Sequence, residues 1–193
     1  MLEKFTQSAR DVVEGAVRHA ERAEATTITE EHLLLALLDL LDPGRTPGAR
    51  ALIALGVDQR RTELTAALQE ARRVGGLSRA DIAALAQLGV DVSAIVARVE
   101  DAHGPDALAA DRGPRWWWPR GHRPFSREAK SSLERALRVA QGRGERQIGD
   151  QHLLLGLAAG AGVVGDVMAE YGASRAELER VLAVPEVGRA ATG

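Results

Sequence analysis

An all-α protein made of two related helical units is the fold that this sequence predicts. Residues 5–38 and 125–158 align without a gap at an offset of 120, and twelve of the thirty-four aligned positions are identical. Composition alone would give about three identities. Hydrophobic residues make up 45% of the chain but aromatic residues only 3%, which favours helices packed through Leu, Val, Ala and Ile. A repeat of this length indicates two units that bury their apolar faces on each other.

The first helix of each unit carries one apolar face. Apolar residues recur there at i, i+3, i+4 and i+7, and the two sets are Val13, Ala16, Val17 and Ala20, and Leu133, Ala136, Leu137 and Ala140. This spacing is typical of a helix that buries a single stripe. Because the two stripes stand at equivalent places, we expect the two units to pack in the same way.

A second, mostly apolar helix follows in each unit, and Thr27 or Thr29 is predicted to cap its start in the first copy. The segment from Thr27 to Glu30 has the spacing of a capping box, and acidic residues after the cap complement the positive end of the helix. In the second copy Asp150 supplies the acid, whereas Gly149 replaces the threonine.

Two shorter helices complete each unit. In the first copy a Pro- and Gly-rich loop precedes a helix that ends at Leu55 and Gly56, and Gly56 is suited to a left-handed C-cap. Asp58 is predicted to cap the next helix, and Ser174 has the same role in the second copy. Each unit is therefore predicted to contain four helices.

A segment of different character separates the two copies. Residues 77–103 predict two further helices joined at 88–91, and a strip rich in Pro, Arg and Trp follows at 114–124. We expect a first repeat over 1–75, an inserted helical pair and linker over 76–123, a second repeat over 124–183 and a flexible tail over 184–193. The two repeats are expected to pack as one domain.

Composition and charge exclude several classes of function. The formal net charge of −2 gives no overall attraction to nucleic acid or to an anionic membrane. Cysteine is absent, which excludes disulfides, thiolate metal sites and cysteine nucleophiles. The longest apolar run, 33–38, is far too short to span a membrane, and the first residues do not resemble a signal peptide. We therefore expect a cytoplasmic protein with no membrane association.

The pattern shared by the two copies resembles a known family. Each copy opens with Phe and Thr or Ser, continues with Ala-Arg or Ala-Lys, and reaches Ile-x-x-x-His-Leu-Leu-Leu-x-Leu in its second helix. Over about residues 3–72 and 124–183 this pattern resembles the Clp repeat, which occurs twice in the N-terminal domain of ClpC- and ClpA-type Hsp100 unfoldases. The sequence contains no Gly-x-x-x-x-Gly-Lys-Ser/Thr loop for ATP phosphates. It therefore resembles the standalone Clp N-domain proteins of actinobacteria.

The resemblance implies a module that binds clients or adaptors of the Clp protease, with no enzymatic activity and no cofactor. In ClpC-type domains the ligands include proteins phosphorylated on arginine, which need a carboxylate for the guanidinium and donors for the phosphate. Carried over to this sequence, Glu31 is the carboxylate, and Thr6 and Ser126 are the hydroxyls beside the phosphate. Gln151 replaces the carboxylate in the second copy and cannot neutralise a guanidinium. The alternative for Glu31 is a plain first-turn acid.

The resemblance also implies a surface that binds cyclic-peptide antibiotics. Its residues in this sequence are Leu2, Phe125, Lys130, Leu133, Glu134 and Leu137. Core packing is the alternative for Phe125, Leu133 and Leu137, and we favour it for the two leucines. A solvated ion pair at i and i+4 is the alternative for Lys130 and Glu134.

The equivalent histidines His32 and His152 each precede three leucines. This setting favours a structural role, tying the second helix to its neighbour, over metal binding, because no cluster of further ligands accompanies either residue. No nucleophile motif such as Gly-x-Ser-x-Gly is present. We therefore assign no metal ligand and no catalytic residue.

Three tryptophans, Trp116, Trp117 and Trp118, stand in the linker among arginines. These arginines are Arg112, Arg115, Arg120, Arg123 and Arg127. We favour docking of the indoles on a partner or on the repeats themselves. Stacking on single-stranded nucleic acid and insertion at a membrane interface are the alternatives.

Two hypotheses of function follow from these patterns. The leading one is a non-enzymatic binding module of the Clp system, which acts as an adaptor or as a decoy for ligands of the ClpC N-domain. The alternative is a regulatory protein that contacts nucleic acid through the arginines and tryptophans of the linker.

Overall fold

The described part of the chain folds into ten α-helices, as predicted for an all-α protein. The structure is a computed structural model, and it describes residues 2–41, 45–105, 107–109 and 123–183. A short 3-10 helix, Leu2–Lys4, precedes the first α-helix. In chain order the helices are α1 (Gln7–Arg22), α2 (Glu30–Asp39), α3 (Pro47–Ala54), α4 (Arg61–Arg73), α5 (Arg79–Gln87), α6 (Val92–His103), α7 (Arg127–Gly142), α8 (Asp150–Ala158), α9 (Val163–Glu170) and α10 (Arg175–Leu182).

The two predicted four-helix units are α1–α4 and α7–α10, and the inserted pair is α5 and α6. In each unit the first helix packs along the second, and α2 and α8 also contact each other. Leu34 on α2 and Leu154 on α8 are equivalent residues, and both are 0% exposed. The side chains of both units belong to one contiguous hydrophobic cluster, so the repeats share a single core.

The two repeats bond to each other through the segments that lead into their helices, in an exchange of entry segments between the repeats. The Thr6 N–H, just before α1, donates to the Ile148 carbonyl, just before α8, at 2.9 Å. The Ser126 N–H, just before α7, donates to the Ile28 carbonyl, just before α2, at 2.9 Å. Each repeat therefore places the start of its first helix beside the start of the second helix of the other repeat.

The helix ends agree with the sequence at several, but not all, of the predicted positions. Gly56 follows α3 with a φ of +71°, as expected for a left-handed C-cap. Ser174 caps α10 and accepts a first-turn N–H at 3.3 Å. The prediction that Asp58 caps α4 is wrong, because that helix begins at Arg61 with Arg60 at its N-cap. An extra backbone turn intervenes, in which the Asp58 carbonyl accepts the Arg61 N–H at 3.4 Å.

The inserted pair forms a small hydrophobic cluster of its own. Val96 of α6 packs there with Val74, which follows α4, whereas no residue of α5 is buried. An ion pair of 2.5 Å joins Arg79 at the start of α5 to Glu170 at the end of α9. Exposed ion pairs of this kind contribute about 0–1 kcal/mol to stability. The helices α5 and α6 are therefore held mainly through their contacts with Val74 at the end of α4.

Some predictions concern parts of the chain outside the described residues. The linker over 110–122 and the tail over 184–193 are among these parts, so their predicted roles stay predictions, as do the bounds of the four predicted segments. In the described ranges no single helix is long and apolar enough to cross a membrane, and two bent helix pairs reach that length and composition only jointly.

Candidate functional site

A cavity of about 280 Å³ opens where the starts of α2, α7 and α9 meet the end of α4. Its apolar wall includes Leu68, Val163 and Val164, and its polar wall includes Glu31 and Ser126. The first repeat contributes α2 and α4, and the second contributes α7 and α9. The cavity is therefore built jointly by the two repeats.

The structure brings together two of the three residues predicted for arginine-phosphate binding. Ser126 lies beside the start of α2 because its N–H bonds to the Ile28 carbonyl, and it therefore shares the cavity with Glu31. Thr6 does not line this cavity, because the same exchange places it next to Ile148, in front of α8. The hydroxyl and the carboxylate of one site thus come from different repeats.

Glu31 is a half-buried carboxyl group within the cavity. Burial raises its pKa, and the positive charges of Arg72 and His19 oppose that rise. No hydrogen bond or ion pair to another described residue engages its carboxylate. A half-buried, unpaired carboxylate costs free energy, and this cost falls when a cation binds beside it.

Arg72 and Glu128 are two charged residues of the cavity that the sequence did not single out. Arg72 stands in the last turn of α4, and Glu128 in the first turn of α7. Neither side chain forms a hydrogen bond or an ion pair with the described residues around it. No sequence signal could have separated Arg72 from the many arginines on helix surfaces, since its role comes from the meeting of α4 with the other repeat.

Glu30 points to a different neighbour, although it also lines the cavity. Its carboxylate accepts a hydrogen bond from the Ser132 hydroxyl, and Arg135 lies 3.0 Å from the same oxygen. Arg135 also donates to the Gly156 carbonyl at 2.8 Å. Glu30 therefore fastens α2 to α7 and α8, which leaves Glu31 as the unpaired acid of that helix start.

In the second copy the residues at the corresponding positions make structural contacts. Asp150, the equivalent of Glu30, is 0% exposed. Its carboxylate accepts the Gly48 N–H at 2.8 Å and the Ser8 hydroxyl at 3.0 Å. Gln151 lies 3.5 Å from Glu145 and is a neutral amide. The start of α8 is thus held by protein groups and offers no carboxylate for a guanidinium.

His32 and His152 have the predicted structural role, but each acts on its own helix. The Nδ1 atom of His32 accepts the N–H of Thr29, the N-cap residue of α2, at 3.0 Å. The Nδ1 atom of His152 accepts the Gly149 N–H at 2.9 Å. Thr29 is thus the cap rather than Thr27, and the third-position partner is a histidine instead of an acid. No group of three potential metal ligands occurs among the described residues.

His152 is expected to make the fold less stable as the pH falls below about 6.5. It is 0% exposed, and burial lowers its pKa against the opposing effect of Glu145. The unfolded chain therefore takes up a proton at a higher pH than the folded chain does, so the stability is present above 6.5 and is lost as the pH falls through the folded pKa. The measurement is the melting temperature between pH 7.5 and 5.

His152→Asn is the matched variant for this pH dependence. Its amide oxygen can still accept the Gly149 N–H, but it does not titrate. Comparing the two slopes removes the contributions of all other ionisable groups. Equal slopes in the wild type and the variant would show that His152 is not the group responsible.

The predicted antibiotic surface is partly core and partly solvent-exposed. Phe125, Leu133 and Leu137 are half-buried and pack against the main hydrophobic cluster, in agreement with the alternative favoured for the two leucines. Lys130 and Glu134 are exposed, and no ion pair joins them in the described structure. Of Leu2 only the backbone is described, at the start of the 3-10 helix. Binding of a cyclic peptide stays a prediction.

The tryptophan strip lies outside the described residues. This applies to Trp116, Trp117, Trp118, Arg112, Arg115 and Arg120. Arg123, the first described residue after the strip, donates to the Ala25 carbonyl at 2.7 Å, and Ala25 lines the cavity. Arg127 is exposed. This end of the linker is thus fixed at the rim of the cavity.

Comparison with solved structures shows similarity along nearly the whole chain. The N-terminal domain of the chaperone ClpD from Arabidopsis thaliana is 17% identical, with coverage of 94% of both chains and a TM-score of 0.49. A protein from a malarial secretion system is 14% identical, covering 93% of this chain and 92% of that one, with a TM-score of 0.50. The Hsp104 N-terminal domain from Candida albicans is 16% identical, covering 93% and 89%, with a TM-score of 0.48.

The sequence itself matches a family model in two stretches. The model describes the Clp repeat (R) N-terminal domain, and the matched residues are 4–84 and 124–186. The first match extends into α5, and the second begins just before α7. These stretches contain both four-helix units and well over half of the chain, which therefore belongs to the Clp N-terminal domain family.

Proposed function

We propose that this protein is a non-enzymatic binding module of the Clp proteolytic system, and that its cavity takes an arginine side chain of a protein ligand. Phosphorylated arginine is the proposed form of that side chain. Family membership supports the role of a protein-binding module, since Clp N-domains receive substrates and adaptors. The specific ligand rests on the cavity of this chain.

The unpaired carboxylate of Glu31 is the observation that carries the proposal. It is half-buried, its pKa is raised by burial, and no hydrogen bond from a described residue satisfies it. A guanidinium offers five N–H donors in a planar fork that matches a carboxylate. The Ser126 hydroxyl oxygen already accepts the Ala129 N–H at 3.1 Å, so its proton remains available to a phosphate oxygen in the same cavity.

The proposed role is that of an adaptor or decoy. The given sequence contains no loop for ATP phosphates, and the proposed module binds ligands without itself unfolding them. A decoy would slow the degradation of arginine-phosphorylated clients by a complete ClpC-type unfoldase and its protease, and an adaptor would speed it. The half-buried residues around Phe125 are a second proposed contact, for cyclic peptides.

Glu31→Gln is expected to weaken the binding of phosphoarginine by about 10- to 100-fold, because one charge-assisted interaction is lost.

The same variant is expected to have a higher melting temperature than the wild type. Because burial raises the pKa of Glu31, the stability it contributes is present below the ordinary pKa of 4.5 and is lost as the pH rises through the folded pKa. Above the folded pKa a neutral amide is thus the more stable group there.

Isothermal titration calorimetry and thermal melting at pH 8 measure the two effects. Glu14→Gln is the matched control, since Glu14 is exposed on α1 and does not line the cavity. No heat from the wild type with phosphoarginine, either free or within a peptide, would refute the proposed function. Unchanged affinity in Glu31→Gln would refute the role of this carboxylate.

A further inference from the structure

Two neighbouring arginines at the end of α4 have opposite environments. Arg73 lies 2.9 Å from Glu70 and 3.3 Å from Glu100, so acidic groups engage it on two sides. Arg72 is half-buried, lines the cavity and forms no hydrogen bond or ion pair with the described residues around it. A half-buried guanidinium that no protein acceptor satisfies is expected to seek an acceptor from a ligand.

The cavity thus carries two opposite charges that do not pair with each other. Arg72 lowers the pKa of Glu31 through space, yet no salt bridge joins them. A ligand with a positive and a negative group side by side would satisfy both residues at once. An arginine phosphorylated on its guanidinium is such a ligand, whereas unmodified arginine satisfies Glu31 alone.

The start of α7 offers a phosphate no positive side chain within the cavity. Ser126 is neutral there, and Glu128 follows it in the first turn of the helix. Glu128 lines the same cavity and no described residue neutralises it. Its carboxylate opposes the charge of a phosphate that accepts a hydrogen bond from the Ser126 hydroxyl, so a cation from α4 is expected to supply the balancing charge.

We propose that Arg72 recognises the phosphate and determines the preference of this cavity for phosphorylated over unmodified arginine. This proposal rests on the proposed function and adds a specificity-determining residue to it. Glu31 then binds both forms of the side chain, and Arg72 distinguishes between them. The charged hydrogen bonds that Arg72 gives to a phosphate are of the strong class, roughly twice as strong as neutral ones.

The test is the ratio of two affinities, for phosphoarginine and for unmodified arginine presented in the same peptide. Arg72→Gln is expected to weaken phosphoarginine binding by about 10- to 100-fold. It is expected to leave the affinity for unmodified arginine unchanged or slightly higher, because one repulsive charge is removed. Titrations at pH 8 favour the ionised form of Glu31, and melting curves verify that each variant is folded.

Arg98→Gln is the matched control, because Arg98 is an exposed arginine of α6 that does not line the cavity. It is expected to leave both affinities unchanged. If Arg72→Gln and Arg98→Gln give the same ratio as the wild type, the proposal for Arg72 is overturned while the proposed function stands. If the wild type binds neither peptide, the proposed function fails and this proposal fails with it.

Discussion

Asp150→Ala is expected to lower the free energy of unfolding by about 3 kcal/mol, a large loss for one side chain. Asp150 is 0% exposed, and its carboxylate is the acceptor for the Gly48 N–H and for the Ser8 hydroxyl. Alanine would leave two donors in the interior without an acceptor. Gly48 and Ser8 both belong to the first repeat, so the substitution also loosens the contact between repeats.

Chemical denaturation and thermal melting measure this loss. For a chain of this length, about 3 kcal/mol corresponds to a decrease in melting temperature of roughly 6–12 °C. Asp58→Ala is the control, since Asp58 is exposed and uses only its backbone carbonyl at the start of α4. We expect the control to change stability by at most about 0.5 kcal/mol. Equal stability of the two variants would contradict the structural role of Asp150.

The duplicated polar positions differ in how protein groups engage them. At the start of α2, Glu30 is engaged by Ser132 and Arg135 and Glu31 is left unpaired in a cavity. At the start of α8, Asp150 is satisfied by the other repeat and the next residue is a neutral glutamine. A free carboxylate lowers stability and a satisfied one raises it, so the first helix start carries a cost that the proposed ligand would offset.

The helices were predictable because their signals are local. Ala16 and Ala136 of the two apolar stripes are buried as the spacing predicts, whereas Val17, Leu133 and Leu137 are half-buried against the core. Gly56 and Ser174 end and begin helices where expected. The cap at Asp58 was mispredicted because one extra turn, which no residue pattern announces, shifts the helix start.

The cavity was only half predictable from the sequence. Glu31 and Ser126 were identified through the resemblance. Their presence in the same cavity, however, depends on the exchange of entry segments between repeats, which is a tertiary contact. Thr6, which is equivalent to Ser126 in sequence, lies elsewhere for the same reason. Arg72 and Glu128 carry no local signal at all, since they become cavity residues only when the fold brings the end of α4 and the start of α7 to the same cavity.

Gly156→Val is expected to destabilise the protein by about 3 kcal/mol, because α7 and α8 touch at their backbones. A Cβ atom on Gly156 would stand 2.5 Å from the Ser132 carbonyl oxygen and 3.0 Å from the Ala136 nitrogen. Neither atom can move without shifting α7. The Gly156 carbonyl also accepts a hydrogen bond from the Arg135 guanidinium. A displacement of α8 would therefore disturb the arginine that holds Glu30.

Gly142→Val is the matched control for this prediction, because a Cβ atom there meets nothing within 4 Å. Thermal melting of both variants should show a large decrease in melting temperature for Gly156→Val and little change for Gly142→Val.

In the first repeat the same helix crossing is arranged the other way round, with the glycine on the first helix: a Cβ on Gly15 would stand 2.8 Å from the methyl group of Ala36. Each crossing thus keeps one glycine, although at non-equivalent positions. A Gly156→Val protein as stable as the Gly142 control would show that the crossing of α7 and α8 can widen freely, and that close backbone packing does not fix the start of α7 at the cavity.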